Sequence, residues 1–253
     1  MDLKLILEHH IVDKIWTWVA FGPLRLPVSK HLLMMGITSL ILLVVFPLLI
    51  RSRSGALAPF RAMIEMTVLF LRDEVVLPNL GHKGAAYTGY FSTLFFFILI
   101  MNLLGLVPYG ASATGNLAVT AGLALTTFAL INFSGIKEQG LIGYFAHLVP
   151  KGVPLWLYPL MFPIEVMGMF IKTFALCIRL FANMIAGHIV ILVFICFIFI
   201  FGAFGTAFGL LAAPISVGLV LFTLLLELLV AFLQAYIFVT LTAIFTGAAM
   251  HPH

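Results

Sequence analysis

From Leu160 to Met250 the chain is almost uninterruptedly apolar, and its only charged side chains there are Glu165, Lys172, Arg179 and Glu227. Arginine keeps its proton at any accessible pH, so Arg179 is a fixed positive charge inside an apolar run. Placing such a charge at membrane depth costs roughly 3 to over 10 kcal/mol, and residues of this kind face a partner, a cavity or an ion path. The whole chain has the same character. Its 253 residues are 63% hydrophobic and only 9% charged, against about 25% charged in a soluble domain. It reads as a single all-α integral membrane domain, with room for several spans and none for a large soluble domain.

The net charge of +4 does not point to nucleic acid, because the basic residues lie beside apolar runs, where positive charge sets orientation. At the N-terminus Asp2, Glu8, His9, His10 and Asp13 interrupt the region where a cleavable signal would need an apolar core. Cys177 and Cys196 sit on one helical stretch, ~28 Å apart at 1.5 Å per residue, too far to bridge. They read as packing residues.

Residues 1–29 form a polar-to-amphipathic lead containing Pro23 and Pro27. A first span occupies residues 30–51, apolar from Leu32 to Ile50, and Arg51, Arg53 and Arg61 mark its inner end. Residues 57–77 place Arg61, Glu65 and Arg72 on one helical face, which predicts an amphipathic helix on the membrane surface. Residues 88–134 read as a two-helix hairpin, apolar from Tyr90 to Val107 and from Leu117 to Phe133. The uncharged link Pro108–Asn116 falls outside, and the 135–158 loop, with Lys137 and Lys151, inside. Residues 160–250 hold two stretches of about 42 residues, each ~63 Å as helix, twice the bilayer core. Each admits two upright spans with a tight turn or one steeply tilted helix. The lack of a polar turn near Arg179 or Glu227 favours two long tilted helices in a hairpin, turning near Gly202–Pro214. That makes about five membrane-embedded helices plus one interfacial helix.

Glu165, Lys172 and Arg179 are seven apart and drift only ~20° per step around a helix. Asn183, four beyond Arg179, shares its face. His188, nine beyond, lies about 180° away. Glu227 and Gln234 fall on one stripe of the last helix. One face thus carries a fixed cation and the other a histidine, and histidine with a carboxylate is the pairing expected of intramembrane proton relays. Structural roles compete: Arg179 in an ion pair, His188 and Gln234 as interhelical hydrogen-bonders, Lys172 snorkelling beside Glu165. Several costly groups converging on two adjacent segments favour the relay. Asn102, Asn116 and Asn132 read as packing or capping residues. His9-His10 and His251-Pro-His253 lack metal-ligand spacing, and no phosphate loop, nucleophile elbow or HExxH is present. No metal, cofactor or nucleotide site is expected.

The run Arg179-Leu-Phe-Ala-Asn-Met-Ile-Ala-Gly-His188, with Glu227-Leu-Leu-Val-Ala-Phe-Leu-Gln-Ala-Tyr-Ile-Phe238 downstream, resembles subunit a of the F-type ATP synthase. Met101-Asn-Leu-Leu-Gly-Leu-Val-Pro108 and Pro163-Ile-Glu165 resemble the same family. The resemblance covers the chain from about residue 30 to its end. It implies that Arg179 faces a rotor ring of c subunits and separates two offset half-channels. Asn183, His188, Glu227 and Gln234 would line the outer path, and Glu165 the exit side. Some bacterial members carry the acid at position 188 and the histidine at 227; here they are exchanged, as in mitochondrial members. The implied partners are the c ring, b-type peripheral stalk subunits and the lipid bilayer. The implied location is a bacterial plasma membrane, with the mitochondrial inner membrane as the alternative. Two other readings compete with this one. A self-contained proton-coupled transporter would need a substrate site between broken helices, usually from internal repeats, and none is visible. A structural scaffold explains the hydrophobicity but not the buried Arg, Glu and His.

Overall fold

A computed structural model describes residues 15–21, 24–52, 55–107, 112–146 and 157–250. All of the N-terminal lead before Ile15, with His9-His10, lies outside them, as do Pro23, Arg53, Pro108-Tyr109-Gly110, Lys151 and His251-Pro-His253. The described part of the lead, read from sequence only as polar-to-amphipathic, forms a strand pair. Strands β1 (Ile15–Phe21) and β2 (Leu24–Ser29) pair antiparallel, with Phe21 opposite Leu24 and Val19 opposite Leu26. Trp16, Trp18, Val19 and Val28 are residues that favour a pleated surface.

Everything described after Ser29 is helical or a short connection. Helix α1 (Lys30–Arg51) opens into a π-helical turn at Ile41–Val45, and α2 (residues 58–80) does the same at Leu71–Val76. Each wide turn stands just before a proline, Pro47 and Pro78 respectively. Proline lacks an N–H and its ring collides with the carbonyl four residues back, and a wider turn relieves that collision without ending the helix. Helix α2 buries Ile64, Leu71, Val75, Val76 and Leu80 and leaves Glu65, Arg72 and Asp73 exposed, the two-faced character expected of residues 57–77. A 3₁₀ stretch, Gly81–Tyr87, leads into α3 (Thr88–Leu106).

Helix α4 (Leu117–Ala146) runs thirteen residues past the apolar stretch that ends at Phe133. The segment expected as loop is helical because Lys137, Glu138 and Gln139 are strong helix formers. The break comes later, at Gly140, whose φ of 76° suits glycine and few other residues. Asn116 caps the start of α4, accepting from the Ala118 N–H at 2.9 Å.

Helices α5 (Tyr158–Gly202) and α6 (Thr206–Met250) are each 45 residues of unbroken helix. Two upright spans per stretch are thereby excluded. The connection is only Ala203–Gly205, and Pro214 lies inside α6 rather than in the turn. At 1.5 Å per residue each helix is ~68 Å long, more than twice a hydrocarbon core. Five helical segments, one of them uniting α2 and α3, are long and apolar enough to cross a membrane. Several hydroxyls within them are satisfied locally: Thr38, Thr173, Thr223, Thr242 and Thr246 each donate to the carbonyl four residues earlier.

The described residues form two compact units. One includes residues 98–119 and 179–234, with Ile98, Met101, Leu180 and Ala231 in its core. The other comprises residues 40–97, 120–178 and 235–253 and packs Leu71, Leu80, Phe91, Phe95, Val239 and Ala243. Packing in the second unit is tight enough that a Cβ on Gly247 would overlap the carbonyl oxygen of Asn79. Lys83 and Glu138 form an ion pair there whose lysine is largely exposed, worth at most about 1 kcal/mol. Gly247→Ala should therefore destabilise the detergent-solubilised protein by about 1–3 kcal/mol, far more than Lys83→Met. Thermal midpoints of the two variants check this ordering.

Candidate functional site

Helix α5 carries Glu165, Lys172, Arg179, Asn183 and His188 in that order along one unbroken rod. Arg179 projects into the open, and among the described residues no carboxylate lies within ion-pair distance of it. Its neighbours at −4, +3 and +7 are Ala175, Ala182 and Ala186, all exposed. The cation thus stands on a shallow face where another backbone can come close. Its own backbone carbonyl is engaged: the buried Gln234 on α6 donates to it from Nε2 at 3.3 Å. Gln234, on the same stripe as Glu227, therefore ties α6 to the turn that carries Arg179.

Two and a half turns beyond Arg179, His188 is half-buried, and its Nδ1 lies 3.7 Å from Glu227 Oε1. The Glu227 side chain is only 12% exposed. The separation is within ion-pair range but beyond a direct hydrogen bond, and neither carboxylate oxygen is hydrogen-bonded among the described residues. A buried carboxylate without hydrogen-bond donors does not stabilise the fold. Gly187 makes the approach possible, since a Cβ there would overlap Glu227 Oε1. Glu227 also borders a cavity of about 20 Å³ that Asn102, Asn183 and Gln234 help to line, large enough for a single water.

Asn102, read from sequence as a packing residue, belongs to a buried polar chain beside this cavity. Thr114 Oγ1 donates to Asn102 Oδ1 at 2.7 Å, and Ser112 and Thr114 share a hydrogen bond of 2.9 Å. An asparagine inside the apolar run 90–107 was the available signal. Gly187 offered none, because its role depends on a residue forty positions away.

Glu165 belongs to the other unit. Half-buried, it lines a cavity of about 140 Å³ together with Lys172, Asn132, Gln139 and Tyr144. Lys172 has no carboxylate within ion-pair distance among the described residues; its Nζ sits 5.6 Å from the Phe245 ring centroid, a cation–π arrangement. The six residues singled out in the sequence thus divide. Asn183, Glu227 and Gln234 meet around one cavity with His188 adjoining, Arg179 is bound to Gln234 through its backbone, and Glu165 lines a second cavity.

The sequence pattern of the family described as ATP synthase A chain matches residues 32–247. The ATP synthase subunit a of Anaeromyxobacter dehalogenans (strain 2CP-C) is 46% identical over 238 residues, 92% of this chain and 60% of the relative. That of Myxococcus xanthus (strain DK1622) is 45% identical over 239 residues, 92% of this chain and 77% of the relative. The subunit a of Chloroherpeton thalassium (strain ATCC 35110 / GB-78) is 41% identical over 263 residues, covering 98% and 77%. The chain thus spans about three-fifths of the Anaeromyxobacter protein and about three-quarters of the other two. With a match over most of its length and relatives at this identity, the chain belongs to the ATP synthase A chain family.

Proposed function

We propose that this chain is the proton-conducting stator subunit of an ATP synthase membrane sector. The observation that carries the reading is Arg179, a permanent cation in an apolar helix, exposed among small residues and without an acidic partner among the described residues. Such a charge is tolerable in a bilayer only when something outside the chain compensates it. A carboxylate on a rotor ring of c subunits is that partner, and the alanines around Arg179 let the ring helix pass closely. The exposed apolar side chains Leu225, Leu229, Phe232 and Leu233 continue α6's contact with lipid or ring.

A proton enters from the outer face, exchanges at His188 and Glu227, and passes Asn183 and Gln234 to a ring carboxylate. The neutralised carboxyl then rotates through lipid. On return it meets the inner half-channel bordered by Glu165, releases its proton, and is drawn as an anion to Arg179. The guanidinium cannot release a proton, so it blocks direct passage between the half-channels. Each proton crossing supplies ~2.3 kcal/mol per 100 mV, and a leak past Arg179 would dissipate it without rotation. In this reading b-type peripheral stalk subunits hold the chain against the torque, nucleotide chemistry happens elsewhere in the complex, and the membrane is a bacterial plasma membrane.

Arg179→Ala should abolish ATP synthesis by inverted membrane vesicles; retained ATP-driven proton pumping would overturn the assignment. Glu227→Gln should slow pumping about tenfold or more, as loss of a proton-exchanging group does, and an unchanged rate would remove Glu227 from the path. Gly187→Ala displaces the Glu227 carboxylate without altering any titratable group, and misplacement of a reacting group costs about tenfold or more in rate. Pumping by this variant should fall while assembly of the complex, followed by immunoblot, stays at the parental level.

A further inference from the structure

The cavity beside Glu165 has a wall that the pathway above leaves unused. Tyr144 stands four residues past the break at Gly140, where the positive φ redirects the end of α4. Its ring covers Gly135, where a Cβ would overlap the ring's Cε2, so the position tolerates no side chain. The tyrosine is 6% exposed, and its hydroxyl donates to Asn132 Oδ1 at 3.0 Å. Asn132 is itself oriented, because its Nδ2 donates to the Phe128 carbonyl at 2.7 Å and leaves Oδ1 for the phenol. Gln139 Nε2 donates to the Ala249 carbonyl at 2.6 Å and ties this end of α4 to α6. Tyr144, Asn132, Gln139 and Glu165 all line the same cavity of about 140 Å³, room for several waters.

A phenol donates and accepts at once and keeps its proton at neutral pH. Turned from Asn132 Oδ1 into the cavity, it can take a proton on its lone pair from one carrier while its own proton passes to a second water there, and so end with the same composition before it donates to Asn132 again. We infer that Tyr144 is a proton-path residue of the inner half-channel, its hydroxyl aimed by Asn132 to relay protons leaving Glu165. This rests on the reading of Glu165 as the inner exit. Gly135 and Gly140 are then positioning residues, one clearing space for the ring and the other turning the chain to deliver it. The titratable groups lining the cavity are Tyr144, Glu165 and Lys172.

The test uses the assembled complex in inverted vesicles, with subunit content measured by immunoblot. Tyr144→Phe keeps the ring on Gly135 and removes only the hydroxyl. Proton conduction should fall about fivefold, less than the loss of a full acid–base group, and the pH of half-maximal conduction should move. Asn132→Leu should do the same, and the double variant should be no slower than either single one. Parental conduction in Tyr144→Phe alongside slowed conduction in Glu165→Gln overturns the role of Tyr144 and leaves the inner exit standing. Slowed conduction with an unmoved pH profile also overturns it, because a purely packing role predicts that result. Parental conduction in both Tyr144→Phe and Glu165→Gln removes the inner exit itself.

Discussion

A charge that cannot be neutralised, held where water is scarce, is the constraint from which the rest of this chain follows. Several other polar groups in α5 and α6 can be satisfied by a local carbonyl, as Thr173, Thr223, Thr242 and Thr246 are. Arg179 keeps its charge in any case. Its helix must be long enough to carry polar groups on both sides of it, its face must be open, and its backbone must be held. The 45 unbroken residues of α5, the alanines at −4, +3 and +7, and the amide of Gln234 meet those three needs.

The polar groups on the two sides of Arg179 differ in kind. His188 and Glu227 approach to 3.7 Å beside a space fit for one water, and among the described residues neither His188 Nδ1 nor the Glu227 carboxylate has a hydrogen-bond partner. Glu165 borders a roomier cavity with a lysine and several neutral hydrogen-bonding groups. Along α5 the two lie in different halves of one helix, with Arg179 between them in sequence.

Much of this was legible in the residues. The 3.6-residue period placed Arg179 and His188 on opposite faces, and the absence of a polar turn from Leu160 to Phe201 pointed to one long helix, which α5 is. Boundaries failed where local propensity outran hydropathy: Lys137 to Gln139 extend α4 beyond its apolar part, and Trp16 to Val28 make a hairpin from what read as an amphipathic lead. The parts that sequence could not show depend on contacts between distant positions. Gly187 matters because Glu227 leans over it, and the particular partner of Gln234, the carbonyl of residue 179, lies fifty-five positions away. Pattern along one strand of text carries no record of such pairs.

The hydrogen bond from Gln234 to the Arg179 carbonyl has a mechanical consequence. Sliding α5 along α6 by one turn, ~5.4 Å, would carry that carbonyl out of reach and strand a buried amide. The contact thus acts as a detent, setting the depth of the guanidinium by a residue that never touches it. The stop is built from an uncharged side chain, insensitive to pH and to salt.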